Sequence, residues 1–71
     1  PSLTPLELLA HFALLKGVDG AGERRATVEA LLHRVNLWRV RDRAVGALSG
    51  GMRQRLGVAV ALVGAPPVLL V

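Results

Sequence analysis

Apolar periodicity, composition and the absence of cysteine together predict a small, mostly α-helical chain. Three stretches carry apolar residues at helical spacing, each bounded by capping or breaking residues. Of the 71 residues, 52% are hydrophobic, and the mean hydropathy of +0.47 is too apolar for a disordered chain. With no cysteine, neither a disulfide nor a thiolate metal centre can staple the core. A chain of this length buries only roughly 60% of its unfolded surface, and this one is more apolar than so small a sphere readily hides. A covering partner or neighbouring structure is therefore expected. The formal charge of +4, carried by eight arginines and Lys16 with a pI near 11.5, points to an anionic or phosphate-bearing partner.

The first helix starts at Thr4-Pro5-Leu6-Glu7. Thr4 and Glu7 have the spacing of a capping box, Pro5 occupies the first helical position, and Leu3 and Leu8 stand where a hydrophobic staple forms. Leu8, Leu9, Phe12 and Leu15 supply the expected inward stripe, and Lys16-Gly17 ends the helix. Val18-Asp19-Gly20-Ala21-Gly22 is turn chemistry. A second amphipathic helix is expected from about Glu23 to Val35. Its stripe is Val28, Leu31, Leu32 and Val35, with Arg24, Arg25, Glu29 and Arg34 largely outside it. The helix ends near Asn36. Leu37 to Arg43 is basic and short, and reads as a helical turn or loop with Trp38 and Val40 packed inward.

The third helix differs in kind. Leu48-Ser49-Gly50-Gly51 is a good helix start, since serine caps and glycine lets a ligand approach the backbone. From Met52 to about Val63 the pattern is helical and, beyond Arg55, apolar on every side, which predicts burial. Gly64-Ala65-Pro66-Pro67 terminates it, and Val68-Leu69-Leu70-Val71 reads as the start of a fully buried strand of a parallel sheet. That strand has no partner strand within the chain, the pattern expected of a piece of a larger domain. The proline pair also interrupts the apolar run from Leu56 to Val71, leaving it short of the roughly 20 residues a membrane span needs. Pro1 to Pro5 lacks the basic and apolar regions of a signal peptide.

Ser49-Gly50-Gly51 is the candidate site. The first backbone N–H groups of a helix lack intrahelical partners and lie at the positive end of its dipole, and glycine removes the steric barrier to a phosphate. Ser49 adds a hydroxyl, while Arg53 and Arg55 raise the local potential. The bland alternative is a plain turn with a capping serine. His11 and His33 are too few for a metal centre and read as surface or boundary residues.

Leu48-Ser49-Gly50-Gly51-Met52-Arg53-Gln54-Arg55 resembles the signature motif of ABC-type ATPases, usually Leu-Ser-Gly-Gly-Gln, a polar residue, then Gln-Arg. Leu56 to Leu62 looks like the family's signature helix, and Val68 to Val71 like the strand carrying the Walker B carboxylates. Leu3 to Glu7 and Phe12 to Gly17 resemble the stretch after the family's glutamine loop. The resemblance covers essentially the whole chain in order. It implies a fold that is mostly α: the helical subdomain of an α/β P-loop NTPase of ABC type, ending in the first residues of the Walker B strand. Residues 1–71 would then be part of an ABC ATPase domain, with the signature motif at 48–55, the signature helix at about 50–63 and the Walker B strand starting at 68–71.

The resemblance further implies an ATP-binding subunit of an ABC transporter, of exporter type, that couples ATP binding and hydrolysis to transport. Ser49, Gly50, Gly51 and Met52 would meet the γ-phosphate of an ATP held mainly by the opposite subunit of a head-to-tail dimer. Met52 departs from the usual Gln and removes that side-chain hydrogen bond. Arg55 matches an arginine of the signature helix, where packing, ion pairing and ligand contact are alternatives. The implied cofactors are ATP and Mg²⁺, and the implied partners are a second ATP-binding subunit and a transmembrane permease at the cytoplasmic face of the membrane.

No Gly-x-x-x-x-Gly-Lys-[Ser/Thr] loop occurs in the sequence. No catalytic residue and no metal ligand are assigned within the chain, so the 71 residues alone are not expected to hydrolyse ATP. The basic turn from Arg39 to Arg43 reads as a solvated loop with Asp42 pairing neighbouring arginines. Its alternative is a docking surface together with exposed groups among Leu8, Leu9, Phe12 and Trp38. Two other functions fit less of the pattern. A basic three-helix nucleic-acid-binding module would have to read a groove with a helix that is apolar from Leu56 onward, so no nucleic-acid partner is expected. A non-transport ABC ATPase is the other.

Overall fold

The computed structural model describes residues 3–18 and 20–64. Within them the chain forms helix α1 (Pro5–Leu15), helix α2 (Ala21–Arg34), two single 3₁₀ turns (Trp38–Val40 and Val45–Ala47) and helix α3 (Gly50–Gly64). The described residues are mostly helical and contain no strand. The expected strand at 68–71 and the proline pair before it lie outside the described residues.

The start of α1 follows the sequence pattern. Glu7 N–H donates to Thr4 Oγ1 at 3.1 Å, and Thr4 N–H donates to Glu7 Oε1 at 3.1 Å, closing the capping box with Pro5 at the first helical position. Its end is a Schellman motif. Gly17 (φ +85°) takes the left-handed conformation that only glycine adopts without cost, so that Val18 N–H reaches Ala13 O at 3.0 Å and Gly17 N–H reaches Leu14 O at 3.1 Å.

Helix α2 ends in the same way with Asn36 (φ +59°) at the left-handed position. Leu37 N–H donates to Leu32 O at 2.8 Å and Asn36 N–H to His33 O at 3.1 Å. The apolar pair that accompanies this motif is Leu32 and Leu37, both fully buried. Helix α2 begins at Ala21 rather than Glu23, because Gly20 (φ +74°) turns the chain early. Its carbonyl then accepts the first helical bond, from Arg24 N–H at 3.0 Å.

Helix α1 packs against both α2 and α3, and α2 against α3. The core is Leu9 and Ala13 from α1, Val28 and Leu32 from α2 with Val35 at its end, Leu37 and Leu48 from the connection, and Leu56 and Ala59 from α3. The α2 stripe is therefore as expected, with Leu31 half-buried beside it.

The α1 stripe is not. Pro5, Leu9 and Ala13 are the buried residues, while Leu15 is 64% exposed. Almost every α1 side chain beyond Glu7 is apolar, so periodicity did not select one face; the row that includes small Ala13 is the one that turns inward. Helix α3 is also not buried all round. Leu56 and Ala59 face the core, but Val58 is 51% and Leu62 39% exposed, because among the described residues only α1 and α2 lie against it.

No helix among the described residues is long and apolar enough to cross a membrane. Leu32 sits at the centre of the core, so Leu32→Ala is expected to cost about 2–5 kcal/mol, read as a lowered midpoint in urea unfolding; a loss below about 1 kcal/mol would contradict this packing.

Candidate functional site

The candidate site is reached through the connection between α2 and α3, which is held at several points. Leu37 plugs the core, and the Trp38–Val40 turn follows it. The chain then runs beside the start of α1. Leu6 N–H, an unpaired donor of the first helical turn, finds Arg41 O at 3.2 Å, and Val45 N–H donates to Leu3 O at 2.8 Å. A second 3₁₀ turn brings Leu48, 4% exposed, into the core as the anchor immediately before the turn.

Burying Leu48 forces the following residues outward. Ser49, Gly50 and Gly51 are all exposed. Ser49 caps α3: its Oγ accepts from Met52 N–H at 3.1 Å, and its carbonyl accepts from Arg53 N–H at 2.9 Å. Among the described residues neither Gly50 N–H nor Gly51 N–H has an acceptor, as expected of the first residues of a helix. Because Ser49 Oγ accepts from Met52, its own O–H remains free to donate. A Cβ built at Gly50 or Gly51 would meet no atom within 4 Å, and neither glycine has a positive φ. Nothing in the packing of the described residues thus requires glycine at these positions. What results is an exposed cluster of hydroxyl and backbone N–H donors at the positive end of a helix, open to close approach by an anion.

The nearby arginines are partly committed to structure. Arg53 Nη1 donates to Leu48 O at 2.7 Å, bracing the turn from below. Arg55 Nε donates to Val35 O at 3.0 Å, across twenty residues of sequence, and ties the end of α2 to α3. This hydrogen bond gives Arg55 a structural role through Nε. Met52 is half-buried and packs against the core, and its N–H is held by Ser49.

The remaining sequence candidates fall elsewhere. His11 and His33 are exposed, and His33 stacks on Trp38 at 4.6 Å between ring centroids. Arg41 lies over the Trp38 ring at 4.0 Å, donates to Trp38 O at 2.8 Å, and approaches Asp42 at 3.9 Å. Among the described residues no three metal-ligating side chains gather. Leu9 is fully buried and cannot belong to an exposed docking surface; Leu8, Phe12 and Trp38 are half-buried. The sequence reading places the helix end near Asn36, but the left-handed turn there and the burial of Leu37 escaped it. The signal was there: Asn followed by Leu, directly after an amphipathic stripe, is the composition of a Schellman end.

Comparison with known proteins returns one family, ABC transporter, matching residues 1–71. Among curated relatives, the phosphonates import ATP-binding protein PhnC 1 of Natronomonas pharaonis is 55% identical over 56 residues, covering 79% of this chain and 24% of the relative. The probable multidrug ABC transporter ATP-binding protein YbhF of Escherichia coli is 46% identical over 68 residues, 96% of this chain and 12% of the relative. ABC transporter A family member 9 of Dictyostelium discoideum is 47% identical over 62 residues, 87% of this chain and 7% of the relative. The chain therefore spans between 7% and 24% of the length of these relatives. No solved structure matches it.

The Arg55–Val35 tether makes a quantitative expectation. Arg55→Met keeps the aliphatic stem and removes the donor, and should lower unfolding stability by about 1.5 kcal/mol. An Arg34→Met control on exposed α2 should change it by less than about 0.5 kcal/mol. Equal effects in a denaturant titration would show that the tether is not stabilising.

Proposed function

The chain belongs to the ABC transporter family, whose members are ATPases, and on that premise we propose that it is the helical subdomain of an ATP-binding subunit. In this reading residues 48–55 are the signature motif, α3 is the signature helix, and 68–71 begin the Walker B strand. The observation that carries the reading is the exposed Ser49-Gly50-Gly51 turn, with free donors and open space where the glycine Cβ atoms would be.

The proposed chemistry follows from those donors. Ser49 O–H and Gly51 N–H bond the γ-phosphate of an ATP held mainly by the opposite subunit of a head-to-tail dimer, and Gly50 permits the close approach. Met52 contributes through its backbone, holding the turn, rather than through a side-chain hydrogen bond. The α3 dipole adds favourable potential at the same place. ATP supplies the transferable phosphoryl group, and Mg²⁺ with the remaining machinery is held by residues other than those assigned here. A turn that only binds when the dimer closes would couple ATP binding to closure and hydrolysis to reopening. The motion would pass to a transmembrane permease at the cytoplasmic face of the membrane.

An exporter-type subunit is part of the proposal, supported by the relative named for multidrug transport. The phosphonates import relative shows similar sequence in a protein named for the opposite direction.

Two substitutions separate ligand contact from folding. Aspartate is a good helix cap and suits the first turn of a helix, so Ser49→Asp and Gly51→Asp should leave the thermal midpoint of the full subunit nearly unchanged. Each places a negative charge against the phosphate and should reduce ATP turnover by roughly 100-fold or more, the scale of losing a donor to a developing anion. Normal turnover in folded Gly51→Asp would overturn the signature assignment.

A further inference from the structure

Behind the end of α2 lies a recess of about 360 Å³ lined by Asn36, Arg39, Val40, Arg43, Met52 and Arg55. Arg39, Arg43 and Arg55 all line it, and among the described residues no carboxylate does. Among the described residues the only ion pair is Arg41 with Asp42, so none of these three arginines has an acidic partner within pairing distance. Gathering like charges without a counter-charge opposes folding, and the arrangement is relieved when an anion enters.

The recess is also partly preorganised. The Arg55 Nε bond to Val35 O holds that guanidinium in place, while its Nη1 and Nη2 atoms have no acceptor among the described residues. The left-handed Asn36 lines the recess, Arg39 belongs to the Trp38–Val40 turn that follows it, and Arg43 comes three residues after that turn. Guanidinium forks match the oxygen geometry of phosphate and give charge-assisted, bidentate hydrogen bonds. A charge-dense dianion answers three cations better than a monoanion does. Among the described residues no aromatic ring lines the recess, so it offers a phosphate group more than a nucleobase.

We propose that the recess of Arg39, Arg43 and Arg55 binds a phosphomonoester-type dianion through donors other than those of Ser49, Gly50 and Gly51, although Met52 and Arg55 belong to residues 48–55 as well. A free phosphate compound and a lipid headgroup share that chemistry, and the experiment distinguishes them. The full subunit is first saturated with a non-hydrolysable ATP analogue, which removes the nucleotide site from the measurement. Pyrophosphate binding is then followed by calorimetry, and binding to phosphatidylcholine vesicles containing phosphatidic acid by co-sedimentation.

The double variant Arg39→Ala/Arg43→Ala retains the Arg55 tether and should weaken binding by about tenfold or more. A charge-matched control, Arg25→Ala/Arg34→Ala, should stay within about twofold of the parent. That pattern with pyrophosphate identifies a free phosphate ligand, and the same pattern with vesicles alone identifies a lipid headgroup. Absence of binding in both arms, or equal losses in the two double variants, would overturn the proposal.

Discussion

The end of α2 is the constraint on which the remaining geometry depends. Asn36 reverses the chain in a left-handed conformation, which sends Leu37 back into the core against Leu32 and leaves the Val35 carbonyl facing Arg55 of α3. One turn thereby performs two tasks. It closes the apolar core with a residue from the connection, and it fixes α3 against α2 by a charge-assisted hydrogen bond at the negative end of a helix. The connection that follows is pinned along the start of α1 by Arg41 O and Val45 N–H, so the start of α3 is not free to wander.

That fixed path explains why the candidate site faces outward. Leu48 must be buried, and a chain entering a helix directly after a buried anchor presents its next residues to solvent. Serine capping then leaves the glycine N–H groups unpaired. Each element of the site is ordinary helix-start chemistry; the distinguishing fact is glycine at two exposed positions where the fold itself would accept a Cβ. The described residues do not need glycine there, and the close approach proposed for a phosphate would. Family membership gives that approach a chemical identity, and the signature assignment rests on the two together.

Much of this was legible in the sequence. The capping box at Thr4 and Glu7, the end of α1 at Gly17, the α2 stripe and the Ser49 cap are local features, set by side chains three to five residues apart, and all are present in the structure. The inward face of α1 was not legible. An apolar residue at nearly every position after Glu7 leaves several stripes equally hydrophobic, and the choice of Pro5, Leu9 and Ala13 depends on how closely α2 and α3 approach. Val58 and Leu62 are exposed among the described residues for a related reason: uniform hydrophobicity states that a surface is suited to burial, not which neighbour covers it.

The sequence by itself determined the helices, their ends and the family, because capping, periodicity and an eight-residue motif are encoded in short, contiguous segments. Tertiary structure alone decided that Arg55 ties α3 to Val35, that Ala13 is interior while Leu15 is exposed, and that Arg39, Arg43 and Arg55 line one recess. Those facts join residues up to twenty positions apart. Their pairing follows from the angle at which helices meet, which no local pattern specifies.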